Sequence, residues 1–123
     1  MKVLIVDDSR AMRAMLKSIM TDLGFEVLEA GHGIEGLAQL EANPAIDLAL
    51  VDWNMPQMDG LEFVKALRQD RRNAELKVMM VTAENDMAKM ARALMVGADE
   101  YAMKPLTRDA IIAKLEMLGL VAV

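Results

Sequence analysis

Cysteine is absent from these 123 residues, so the chain has neither a disulfide framework nor a thiolate metal site. A reducing compartment fits that absence. Aromatics are almost as scarce, with one Trp, one Tyr and two Phe. Net charge is −5, and no basic stripe with interleaved aromatics runs through the chain. Phosphate backbones are held by clustered Lys and Arg, so nucleic-acid binding is not expected. Long apolar runs are missing too. The N-terminal run Val3-Leu4-Ile5-Val6 meets two aspartates at once. It is too short for a signal peptide, and no later run approaches the ~18 residues of a membrane span. A cytoplasmic protein is expected.

Hydrophobic residues make up 54% of the chain, enough for one globular domain with a real core. Two periodicities alternate along it. Short apolar runs at 3–6, 25–28, 46–51 and 78–81, with a weaker one at 101–103, suit strands of a parallel sheet buried on both faces. Helical patterns lie between. Met12, Met15, Leu16, Ile19, Met20 and Leu23 recur at helical spacing before Gly24. Further helices are predicted over 34–42, closed by Asn43-Pro44, over 60–70 with Phe63, Val64 and Leu67 inward, and over 86–96, ended by Gly97. The last starts from an N-cap at Thr107, with Ile111, Leu115 and Leu118 on one stripe. Five β-then-α units predict an α/β fold with a parallel sheet and right-handed crossovers.

In open α/β sheets, ligands bind beyond the carboxyl ends of the strands. Asp7 and Asp8 stand there after the first strand, Asp52 after the third, Thr82 after the fourth and Lys104 after the fifth. Taken singly, each has an ordinary reading: Asp8-Ser9 as a helix cap, Thr82 as a capping hydroxyl, Lys104 as a solvated lysine. Together they point to a site. If the first and third strands are neighbours, three carboxylates converge and repel one another. A hard divalent cation relieves that conflict, and Mg²⁺ is the natural choice. Phosphoryl transfer suits such a site, with Lys104 and Thr82 as partners for phosphate oxygens and an Asp as nucleophile.

Val6-Asp7-Asp8-Ser9, Asp52-Trp53-Asn54-Met55-Pro56 with Met58-Asp59-Gly60, Val81-Thr82-Ala83-Glu84, Gly97-Ala98 and Lys104-Pro105 occur in that order. Together they resemble bacterial response-regulator receiver domains, the CheY-like single-domain type in particular, over essentially the whole chain. The resemblance implies one receiver domain spanning 1–123 with no output domain in the chain. It also implies a CheY/flavodoxin-like, doubly wound five-stranded parallel sheet of order 2-1-3-4-5 with five helices.

By the same resemblance Asp52 is the phosphoacceptor. Asp8, Asp52 and the Asn54 backbone carbonyl hold Mg²⁺, with Asp7 acting through water. Thr82, Ala83 and Lys104 bind the phosphoryl group, the Lys104–Pro105 peptide is cis, and Tyr101 swings inward behind Thr82. Asn54 and Glu84 tune dephosphorylation. Met87, Met90, Tyr101, Met103 and Lys114 form the face that grips a downstream protein, although ordinary packing also accounts for the methionines. Trp53 reads as a packing residue or as a specificity element for the phosphodonor, and His32 as a surface residue. Chemotaxis relatives place lysines where this chain has Asp86 and Met87.

The implied function is acceptance of a phosphoryl group from a sensor histidine kinase, switching of the partner face and slow self-hydrolysis. Such a protein catalyses its own modification rather than turning over a substrate, as a monomer or weak dimer. The alternative is a phosphorelay intermediate that hands the group to a histidine phosphotransfer protein. A dehalogenase-type phosphatase would need an Asp-x-Asp pair after the first strand, which Asp7-Asp8-Ser9 does not supply. A flavin-binding relative would need a hydroxyl- and glycine-rich phosphate loop where two aspartates stand.

Overall fold

In a computed structural model the residues described are 1–83 and 87–120. The elements in order are β1 (Lys2–Val6), α1 (Arg10–Asp22), β2 (Glu26–Ala30), α2 (Gly33–Ala42), β3 (Leu48–Asp52), α3 (Gly60–Arg68), a 3₁₀ turn (Arg71–Asn73), β4 (Lys77–Thr82), α4 (Met87–Val96), β5 (Glu100–Met103) and α5 (Arg108–Met117). All four strand pairings are parallel, and the sheet order is β2-β1-β3-β4-β5.

Alternation along β1 explains the two layers. Val3 and Ile5 point to one face, where Leu16 and Met20 of α1 and Ile111 and Leu115 of α5 cover them. Leu4 and Val6 point to the other, against Leu40 of α2, Phe63, Val64 and Leu67 of α3 and Ala93 of α4. Both faces are dry, as a central parallel strand requires. No helix among the described residues is long and apolar enough to cross a membrane.

Several boundaries differ from the sequence reading. The second strand starts one residue later and extends to Ala30, because it lies at the sheet edge, where Glu26 and Glu29 are tolerated beside water. The third begins at Leu48 and includes Asp52. The third helix stops at Arg68, because the Asp70 side chain accepts from the Arg72 N–H and starts a separate 3₁₀ turn. Met15, expected in the core, is exposed: it precedes Leu16 by one residue and is therefore turned about 100° away from it. His32 is a surface residue, and it also caps α2, Nδ1 accepting from the Glu35 N–H at 3.2 Å.

Candidate functional site

Asp7, Asp8, Asp52 and Lys104, anticipated at the strand ends, converge. Asp7 directly follows β1 and Asp52 closes β3; since Val6 pairs with Val51, the two carboxylates leave the sheet side by side. They are only 1% and 4% exposed. Asp8 is exposed beside them, and one carboxylate oxygen from each of Asp7, Asp8 and Asp52 lies within 4.8 Å of the others. Capping does not account for Asp8, because Ser9 is the N-cap of α1 and accepts from the Met12 N–H at 3.2 Å.

Lys104 reaches the cluster from the far side. Its backbone N–H donates to the Thr82 carbonyl at 2.8 Å, continuing the β4–β5 ladder. Its Nζ donates to Asp52 Oδ1 at 3.1 Å and stands 4.0 Å from Asp7 Oδ2. The Lys104–Pro105 peptide is cis. Thr82, at the end of β4, is buried at 2% exposure.

The charges are held against their surroundings. Burial pushes the Asp52 carboxyl above the usual carboxylate range, the Lys104 hydrogen bond pulls it back, and the neighbouring Asp7 charge raises it again. Burial likewise raises Asp7, opposed by the Ser9 N–H and Lys104. Among the described residues one acceptor is left over: Asp7 Oδ2 is buried and takes no hydrogen bond. Buried polar atoms are rarely abandoned in this way. A cluster of hard oxygen donors with one orphaned acceptor fits a small divalent cation such as Mg²⁺.

The response regulator receiver domain family model matches residues 3–116. The chain belongs to the response-regulator receiver family. It is 43% identical to the chemotaxis protein CheY1 of Helicobacter pylori over 96% of this chain and 96% of that one. Its fold superposes on the chemotaxis response regulator CheY4 of Vibrio cholerae with a TM-score of 0.89 at 35% identity, covering 95% and 97% of the two chains. A CheX–CheY–BeF₃–Mg²⁺ complex from Borrelia burgdorferi gives a TM-score of 0.90 at 29% identity, covering 96% of this chain and 88% of that one. Membership places the chain in two-component phosphorelay signalling.

Other anticipated positions of this receiver distribute unevenly. Asn54 and Ala83 lie exposed in loops after β3 and β4. Glu84 and Asp86 fall outside the described residues. Trp53 is 9% exposed and joins the core cluster, which supports its packing role. Tyr101 is half-buried, with Lys114 Nζ 5.0 Å from its ring centre and 3.2 Å from Glu100 Oε1. One expectation for the partner face is corrected: Met90 is buried, because α4 turns it inward with Ala93 toward the sheet. Met87 and Met103 are exposed at 77% and 44%, and Leu94 and Met95 join them at 43% and 86%.

Two contributors escaped the sequence reading. A Cβ at Gly60 would sit 2.5 Å from the Asp52 carbonyl oxygen and 3.0 Å from Trp53 Cα, so only glycine lets α3 begin against the site. Its N–H donates to the Trp53 carbonyl at 2.8 Å, while Asp59 and Glu62 close a capping box. The signal was Met58-Asp59-Gly60, quoted only as part of the family motif with no role given to Gly60. The other is Arg13, one turn into α1, whose guanidinium donates to the Asp7 backbone carbonyl. A basic residue between Met12 and Leu16 was its only trace.

Proposed function

We propose that this receiver accepts a phosphoryl group on Asp52 from a phosphohistidine of a sensor histidine kinase, with Mg²⁺ bound at Asp8, Asp52 and the Asn54 carbonyl. The observation that carries this reading is the pairing of buried Asp52 with Lys104 inside a cluster of three carboxylates. The BeF₃ and Mg²⁺ in the Borrelia burgdorferi complex support it by similarity.

Asp52 supplies the nucleophilic oxygen. Its attack on phosphorus breaks the P–N bond of the donor, and the histidine leaves with a proton as the acyl phosphate forms. Bound Mg²⁺ supplies charge neutralisation for the phosphoryl oxygens. Lys104, already 3.1 Å from Asp52, follows one phosphoryl oxygen as it arrives, and the Thr82 hydroxyl and the Ala83 backbone serve others. Tyr101 moves with Thr82, which alters the exposed surface of α4, β5 and α5 around Met87, Tyr101, Met103 and Lys114. A downstream protein docks there. Water then slowly hydrolyses the acyl phosphate, a step tuned by Asn54 and Glu84. The protein works in the cytoplasm as a monomer or weak dimer.

Labelling tests the nucleophile. Wild type incubated with acetyl phosphate and Mg²⁺ gains a hydroxylamine-sensitive phosphoryl group, and Asp52→Asn gains none while keeping its circular dichroism spectrum. Normal labelling of Asp52→Asn removes Asp52 from its role. Lys104→Ala accepts the group yet shows no change in partner affinity.

A further inference from the structure

Asp7 is held at nearly every polar atom. Its N–H donates to the Ala30 carbonyl of β2 at 3.1 Å, and its Oδ1 accepts from the Ser9 N–H at 2.8 Å. Its carbonyl accepts from Arg13 Nη1. Among the described residues only Oδ2 finds no hydrogen-bond donor, and the Asp7 carboxylate is one of the three in the acidic cluster. Of the three restraints, two come from backbone groups that any sequence supplies. The third needs a particular side chain.

Arg13 is itself braced. Its Nε stands 3.4 Å from Glu29 Oε1 on the edge strand β2, and its side chain is only 17% exposed. Lys17, one turn further along α1, pairs with the other oxygen of Glu29 at 3.6 Å. Stapling α1 to β2 is therefore already served by Lys17, and exposed pairs of that kind contribute little. What Arg13 adds is the bond to Asp7. A planar guanidinium can hold a carboxylate and a carbonyl in fixed directions at once, which a lysine ammonium does not do.

We propose that Arg13, braced by Glu29, is a positioning residue for the metal site: it fixes the Asp7 carbonyl and so sets the Asp7-Asp8 loop in the geometry that receives the divalent cation. This rests on the Mg²⁺ reading given above. Groups that orient metal ligands from behind typically govern affinity about 10–100-fold. Charge alone predicts the opposite sign, because removing a cation beside a Mg²⁺ site tightens binding. The Glu29 carboxylate at 3.4 Å offsets part of the Arg13 charge, so the sign of the change in affinity separates geometry from charge.

The test is Mg²⁺ titration of the full chain, followed by Trp53 emission and by calorimetry, in wild type, Arg13→Ala and Arg13→Lys. Arg13→Ala is expected to weaken Mg²⁺ binding by about 10-fold. Arg13→Lys, which keeps the charge and loses the fork, is expected to weaken it by less. Labelling by acetyl phosphate falls at low Mg²⁺ in both variants and returns to the wild-type rate at saturating Mg²⁺, a response that lost packing would not give. Wild-type affinity in both variants overturns the proposal. So does tighter binding in Arg13→Ala with no change in Arg13→Lys, which would make Arg13 a charge and nothing more. Should Arg13→Ala fail to fold, Arg13→Lys decides alone. A wild type that ignores Mg²⁺ in both measurements overturns the metal reading itself, and this inference with it.

Discussion

The two ends of the sheet treat charge in opposite ways. At the amino ends of β3 and β4 a cleft of about 330 Å³ is bordered by Asp47, Arg72, Glu75 and Lys77. All four are exposed or half-buried. Asp47 accepts from the Lys2 N–H at 2.9 Å, and Arg72 pairs with Asp70 at 2.7 Å. At the carboxyl ends, Asp7 and Asp52 are buried, carry like charge and share Lys104. Solvated, paired charge is compatible with any function or none. Buried like charge is unfavourable in the fold by itself, so it marks where a ligand is to bind.

The largest effect expected from this contrast is steric. Gly60→Ala places a Cβ 2.5 Å from the Asp52 carbonyl oxygen, so α3 or the end of β3 must shift. We expect a loss of about 1–3 kcal/mol in urea unfolding together with slower phosphoryl labelling. A variant as stable as wild type would mean that α3 meets the site with slack.

The next effect runs against the usual direction of mutation. In EDTA the acidic cluster strains the fold, and Asp52→Ala or Asp8→Ala is expected to raise stability by about 1–2 kcal/mol. Mg²⁺ at ten times its Kd should stabilise wild type by about 1.4 kcal/mol and the alanine variants by less. Urea melts of wild type and Asp52→Ala, each with EDTA and with Mg²⁺, check both. Lower stability of the variant in EDTA, with an equal gain from Mg²⁺, would sink the contrast.

A pH dependence follows with a defined sign. The folded pKa values of Asp7 and Asp52 lie above the ordinary value of 3.8. Between the two values the folded state holds more protons than the unfolded state, so stability falls as pH rises through that window. In EDTA the penalty is therefore complete above the raised pKa values and shrinks as pH drops toward 3.8. Asp52→Ala should show a shallower slope over the same range. Urea midpoints measured in half-unit pH steps would reveal equal slopes if the account were wrong.

The smallest effect belongs to the amino end. Arg72 is exposed where it pairs with the half-buried Asp70, so Arg72→Ala should leave the urea midpoint, its salt dependence and phosphoryl labelling unchanged. A labelling defect in that variant would erase the distinction between the two ends.

Much of the fold was legible for a plain physical reason. Strands dry on both faces must be apolar between their ends, and β1, β3 and β4 are, with Lys2, Asp52, Lys77 and Thr82 only at their ends. The edge strand β2 was displaced because Glu26 and Glu29 interrupt its run and Phe25, buried just before it, resembles its start. Around α4 the reading failed at Met90 for a related reason. Met87, Met90, Leu94 and Met95 give that helix apolar residues on much of its circumference, so its rotational phase was not encoded in spacing. Packing against the sheet turned Met90 and Ala93 inward and left the others exposed.

The chain alone determined which chemistry was available. Without cysteine and with one histidine, its hard-metal ligands are carboxylates, and Asp7, Asp8, Asp52, Thr82 and Lys104 stand where apolar runs stop. Alternating β and α units then required a parallel sheet whose carboxyl ends share one edge. Tertiary structure decided the rest, because distance, burial and orientation arise only when strands distant in sequence become neighbours. The pairing of β1 with β3 set Asp7 beside Asp52. The pairing of β4 with β5 brought Lys104 to 3.1 Å from Asp52. The packing of α1 on β2 turned Arg13, an ordinary basic residue in the sequence, toward the Asp7 carbonyl behind the acidic cluster.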